Sequence, residues 1–237
     1  MKTRIAVAAL LAGLWSAGAQ ALLITDPSDW SSGWTFSSFA SGAGTATAVV
    51  EGTGGNPGAR LNVTTVTPTP ADVAFGTAVL TTTTTPAPVA GAVFTMTLDV
   101  LSGAGGFGQG QGIELLVQQS GSVYGMGVGI TGFPLNSFTT LPFNGTFTAA
   151  NFTKISGAGP AQPVFDGATP TQYGFAAGNS NSATLTQYYD NFTLSIPSIG
   201  APPPGPLAAV PTLGFWSMLL LGGLLAAAGV AAAKRRR

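Results

Sequence analysis

Few side chains in this sequence are able to do chemistry. The 237-residue chain contains neither histidine nor cysteine. That removes the usual general base, the usual activator of a serine nucleophile, the commonest metal ligand and all thiol redox chemistry. Eight carboxylates remain, with eight cations and many hydroxyls and amides. Glycoside hydrolysis needs two carboxyls facing each other roughly 5–9 Å apart. The only glutamates, Glu51 and Glu114, fall in separate strand-like segments with no motif around them, and they read as outward surface carboxylates. Asp190 offers a hard oxygen ligand near the end of the domain. It could hold a calcium ion together with Asp26 or Asp29 from the domain's first residues. The simpler account has Asp190 capping a strand end and Asp29 opening a turn, because no run of spaced carboxylates forms a calcium loop. No catalytic constellation is complete, so the expected role is non-enzymatic.

Gly103, Gly105 and Gly108 fit the G-x-G-x-x-G spacing, but a dinucleotide site needs a helix to begin there. The residues that follow, Gln109 to Val117, read as loop and then strand, so a hairpin loop is expected. The amphipathic aromatics are Trp30, Trp34, Tyr124, Tyr173, Tyr188 and Tyr189. Exposed rings would stack on sugars; most aromatics in a sandwich are core or half-buried. Thr81 to Thr85, followed by Pro86 and Pro88, reads as a loop or an edge strand.

The charges are unevenly placed. Lys2, Arg4 and Lys234 to Arg237 sit at the two ends, leaving Arg60 and Lys154 as the only cations among eight acids in the middle. The middle therefore carries net −6, and nucleic acid is not an expected partner. Only 7% of residues are charged, against about a quarter in ordinary domains. Apolar residues make up 45%, enough to fold one domain without cross-links.

The elements that must position these residues follow a period of two. Ala59 to Val66, Ala92 to Val100, Ile113 to Gln118, Val123 to Ile130, Gly145 to Phe152 and Leu185 to Ile196 alternate apolar with polar. They are rich in Val, Thr, Phe and Tyr and bounded by Gly, Pro, Asn and Ser. No helical stripe interrupts them. The expected fold is all-β, an antiparallel, jelly-roll-like β-sandwich over residues 22–197.

Both ends differ from this domain. Residues 1–21 have a positive start, a short apolar run and the small-x-small pair Ala19 and Ala21, the layout of a cleavable signal peptide. Its partners would be the Sec machinery and signal peptidase. Residues 198–209 form a proline-rich linker, extended where prolines are consecutive. Residues 213–233 carry no charge and would span about 31 Å as a helix, matching a bilayer core. Lys234, Arg235, Arg236 and Arg237 form a basic stop that belongs on the cytoplasmic side, placing the domain outside.

Ahead of that span stand Val210, Pro211, Thr212, Leu213 and Trp216. Motif, single helix and terminal basic stop together resemble the IPTL-CTERM sorting tail, a relative of PEP-CTERM, over residues 210–237. Val210 stands where that family has Ile, and Ser217 where it has Gly. The resemblance implies a Gram-negative host and an exosortase-like protease that processes a membrane-anchored precursor. It also implies an inner-membrane-anchored stage facing the periplasm, then the cell envelope, cell surface or extracellular matrix. The phrases Gly54 to Leu61 and Tyr188 to Leu194 resemble those of exported lectin-like jelly rolls, which makes polysaccharide the alternative partner.

Overall fold

A computed structural model describes residues 21–26, 30, 32–103, 110–131 and 136–197. These lie in one compact unit, Met1–Pro202. The signal peptide, the linker from residue 198 onward, the sorting tail with its span and basic stop, Asp29, and residues 104–109 of the glycine motif lie outside the described residues. Among the described residues no helix is long and apolar enough to cross a membrane.

The described residues form twelve strands and one 3-10 turn. In chain order they are β1 (Leu22–Thr25), β2 (Trp34–Ser41), β3 (Thr45–Gly55), β4 (Gly58–Thr67), β5 (Val73–Pro86) and β6 (Val93–Ser102). Then follow β7 (Gln111–Gln119), β8 (Ser122–Thr131), β9 (Thr139–Thr146), β10 (Thr153–Ser156), β11 (Pro170–Asn179) and β12 (Ala183–Ile196). One sheet runs β3-β4-β12-β6-β9, with β1 paired to the far half of β12; the other runs β10-β8-β7-β11-β5-β2. Every pairing is antiparallel. The chain alternates between the sheets, as in a jelly roll. The all-β sandwich expected from the alternation is what forms.

Facing side chains of the two sheets make the core. Leu61, Val63, Phe94, Met96 and Leu98 come from the first sheet, and Ile113, Leu115, Val117, Tyr173 and Phe175 from the second, all nearly inaccessible. Phe175 is the hub of one aromatic cluster, 5.1 Å from Tyr189 and 6.0 Å from both Trp30 and Phe192 between ring centres. Rings this close add attraction beyond their buried area.

The core is not wholly apolar. Tyr189 Oη donates to Gln111 Oε1 at 2.8 Å, Gln111 Nε2 donates to Thr65 Oγ1 at 3.0 Å, and Gln187 Nε2 donates to the Thr131 carbonyl at 3.2 Å. Thr131 Oγ1 closes the ring onto Gln187 Oε1. This network joins β7 and β8 to β4 and β12 across the sandwich, and fixes which strands face which.

Strand β12 carries a change of phase. Leu185, Gln187 and Tyr189 point inward, yet so do Phe192, Leu194 and Ile196. The pairing with β6 shifts between Asp190 and Thr193, and Asn191 takes a left-handed backbone at φ 49°. One extra residue flips the alternation there, and asparagine tolerates the conformation better than most side chains.

Two local expectations are corrected. Gly145 to Phe152 is not one strand: β9 ends at Thr146, and a 3-10 turn over Ala149–Asn151 lets Phe147 and Phe152 both reach the core. Thr81 to Thr85 forms the edge portion of a strand, as one of the two expectations had it: it continues β5 beyond the pairing with β2, which stops at Leu80, and is paired to β11 alone. Strands β6 and β7, which flank the glycine motif in sequence, lie in different sheets and are not the two arms of a hairpin. The next described element is strand β7, not a helix.

Candidate functional site

The outer face of the β10-β8-β7-β11-β5-β2 sheet carries a trough. Alternation alone sends Val79, Leu116 and Ala176 outward, away from the core, and they form a second, smaller buried cluster. Phe75, Val123 and Ile155 pack against them. Two clefts of about 360 and 450 Å³ lie along this face and share Val73, Phe75 and Glu114. The first ends at Asn179, Ser180 and Asn181; the second reaches Phe39 and Lys154.

Glycine cuts the trough. Phe75 is the register partner of Gly178, and its ring lies where a Cβ on Gly178 would sit, at 2.4–2.5 Å. A Cβ on Gly125 would fall 1.9 Å from Glu114 Oε2 and 2.8 Å from Ile155 Cδ1. Two long side chains can therefore lie flat across neighbouring strands. Gly112, Gly127 and Gly129 line the cleft without filling it.

Glu114 is the central polar group. Sequence reasoning took it for an ordinary surface carboxylate; it points outward from β7 but lies half-buried in the trough. No donor among the described residues bonds it. Loss of hydration raises its pKa above the usual carboxylate range, and burial is the only cause. Lys154 is the one other charged side chain lining the trough, and its Nζ donates to the Gly159 carbonyl at 3.0 Å.

The six aromatics named from sequence do not form a stacking platform. Trp30, Trp34, Tyr124, Tyr173 and Tyr189 are all buried. Tyr188 is partly exposed on the opposite sheet, with the Arg60 guanidinium 3.5 Å from its ring centre. Arg60 also bonds Glu51 at 2.6 Å. The aromatics on the trough are instead Phe39 and Phe75, register partners on β2 and β5. Neither strand was marked from the sequence, and β5 shows no clean alternation around Phe75 because it is buried on both faces there.

Asp190 and Asp26 belong to another end of the sandwich. Asp190 Oδ1 accepts Asn191 N at 2.8 Å, and Oδ2 accepts Asn56 N from the β3-β4 turn. Asp26 accepts Trp30 N and Trp34 Nε1, each at 2.9 Å, and shares a cleft of about 280 Å³ with Pro57, Gly58 and Asn191. Asp99, which sequence reasoning had not singled out, is the register partner of Asp190. It accepts Asn56 Nδ2 at 2.9 Å, Asn191 Nδ2 at 2.8 Å and Thr140 Oγ1. A lone carboxylate in the apolar run of β6 was the signal for it. Among the described residues no three acidic, histidine or cysteine side chains are grouped to hold a metal ion. The groups set against Asp26 and Asp190 are N–H donors, two on each carboxylate.

Sandwich, trough and tail define an all-β surface-type domain with a C-terminal sorting segment. Residues 208–237 match the IPTL-CTERM motif, so the tail read from Pro211, Thr212, Leu213 and Trp216 is borne out. The motif implies an exported, surface-directed protein of a Gram-negative bacterium. No curated protein matches the chain. Similar solved structures include the family 11 carbohydrate-binding module of a Clostridium thermocellum cellulosomal cellulase, 13% identical, covering 76% of this chain and 96% of that one, TM-score 0.45. The same module in complex with a mixed-linked tetrasaccharide covers 76% and 98%, TM-score 0.46, at 13% identity. A xylan-binding domain from Paenibacillus barcinonensis is 13% identical, covers 77% and 97%, and has a TM-score of 0.40.

Proposed function

We propose that the chain is an exported cell-surface or extracellular-matrix protein whose sandwich binds polysaccharide without cleaving it. The trough carries this reading. A sugar chain presents apolar ring faces edged by hydroxyls. Phe39, Phe75 and Ile155 supply apolar surface for the faces, while Asn179, Asn181 and Glu114 supply polar partners for the edges. Hydrolysis would need a second carboxyl across the trough, and Glu114 is the only one among its described lining residues. Affinity electrophoresis through gels of neutral polysaccharides tests the reading. Retardation that Phe75→Ala abolishes supports it; equal mobility in every gel refutes it.

Export completes the reading. A signal peptide is cut after Ala21, residues 22–197 fold outside, and the segment 213–233 holds the precursor in the inner membrane. Lys234 to Arg237 stay cytoplasmic, and an exosortase-like protease acts at the motif of Val210, Pro211, Thr212, Leu213 and Trp216. Intact-mass measurement of the mature protein reads both cuts in one experiment.

A further inference from the structure

We propose that the trough selects glycan chains bearing free amino groups, with Glu114 as the residue that pairs with the ammonium. This rests on the polysaccharide reading above and names the class of chain within it. A half-buried carboxylate without a donor has lost hydration and received nothing in return. Among the described residues, no hydrogen-bond donor reaches Glu114, although amides and hydroxyls are plentiful on neighbouring strands. The glycine at position 125 clears the space into which its carboxylate reaches, beside Ile155. The carboxylate fills that space and lines both clefts, so a ligand group in either cleft can meet it where no protein donor does.

The charges around it choose the ligand group. Facing Glu114, strand β8 offers Gly125 and Gly127, strand β11 offers Ala176, and strand β5 offers Phe75, none of them titratable. From β10 comes Lys154, whose ammonium is exposed and turned onto the Gly159 carbonyl. The domain as a whole carries net −6. An anionic sugar would meet an uncompensated carboxylate in an apolar trough. A neutral sugar would bring hydroxyl donors only. An ammonium brings charge and donors together, and a charge-assisted bond is roughly twice as strong as a neutral one. The burial that raises the pKa of Glu114 makes the pairing more valuable, because a cation restores what desolvation removed.

The experiment compares three oligomers of equal length near pH 6 by calorimetry: β-1,4-linked glucosamine, its N-acetylated counterpart, and galacturonate. The glucosamine oligomer is expected to bind about tenfold tighter than the acetylated one, the equivalent of one charge-assisted hydrogen bond, and galacturonate weakest. Glu114→Gln should bring the first two to a common affinity. Glu51→Gln, which removes a carboxylate from the opposite sheet, should leave the preference standing. Thermal melts of both variants establish that they are folded. Binding of the acetylated oligomer without any amine preference overturns this inference and spares the polysaccharide reading. A preference that survives Glu114→Gln, or that Glu51→Gln erases, also overturns it. Binding of none of the three overturns this inference, and the neutral-polysaccharide gels then decide the broader reading.

Discussion

Burial raises the pKa of Glu114 because no group replaces the water its carboxylate loses. The folded state therefore binds this proton more readily than the unfolded chain does. Stability falls as pH rises from the unfolded carboxyl's pKa through the folded one, and above that the full cost of the charge stands. Glu114→Gln is expected to raise the melting temperature at pH 8. The gain should shrink to nothing as pH falls below the ordinary carboxylate range of about 4. A gain independent of pH would mean the charge is not what costs stability. Asp99, by contrast, has three donors turned onto it. Asp99→Ala takes the carboxylate acceptor from Asn56 and leaves Asn191 only the Asn56 carbonyl, although both are exposed enough for water to take part of its place. A loss of about 1–3 kcal/mol in urea unfolding is expected. No loss would show that the cluster of Asn56, Asp99 and Asn191 contributes nothing to stability.

Strands meet where glycine lets them. Phe75 of β5 lies over Gly178 of β11, filling the place of a missing side chain. Gly178→Ala must push that ring away or spread the strands, at a cost of about 1–3 kcal/mol for overpacking. It should also weaken polysaccharide binding, since the displaced ring lines both clefts. An unchanged melting temperature and unchanged affinity would contradict this account of the trough. At the other end, the cleft between β1, the β3-β4 turn and the bulge of β12 gives the calcium assignment at Asp190 and Asp26 a measurable form. Millimolar calcium should raise the melting temperature by several degrees over a chelator, as binding to the folded state alone requires, and Asp190→Asn should remove the gain. Identical melts in calcium and chelator would dispose of the ion.

The reach of the sequence can be judged on these same strands. β4, β6, β7, β8 and β12 were legible because one face meets the core and the other meets water, which imposes a clean period of two. β5 was hidden because it is covered on both faces: Ala78 and Leu80 point into the core, and Val79 into the trough cluster. Such a strand does not alternate. Glu114 was found but misjudged, since its exposure depends on Gly125 and Ile155 from strands distant in sequence. Asp190 drew attention through its neighbours, whereas its partner Asp99 is set by a pairing register that no local pattern reports.

For the whole molecule, the decisive property is the contrast between an acidic domain and a basic, apolar end. The eight carboxylates all lie in the middle, and four cations close the chain after the uncharged run 213–233. Moving the acidic part across a bilayer while the cations stay behind is the orientation that charge and membrane potential favour. Among the described residues, every strand of the sandwich ends by Ile196. Deleting residues 210–237 is therefore expected to leave a folded domain with an unchanged melting temperature. The same deletion should move it from the membrane fraction to the medium, with its new N-terminus at Leu22. Replacing Lys234 to Arg237 by neutral residues should instead keep the protein with membranes while weakening the preference for one orientation, readable as protection from added protease. If the shortened protein still sediments with membranes, the sandwich itself holds the lipid surface, and the tail is not the anchor.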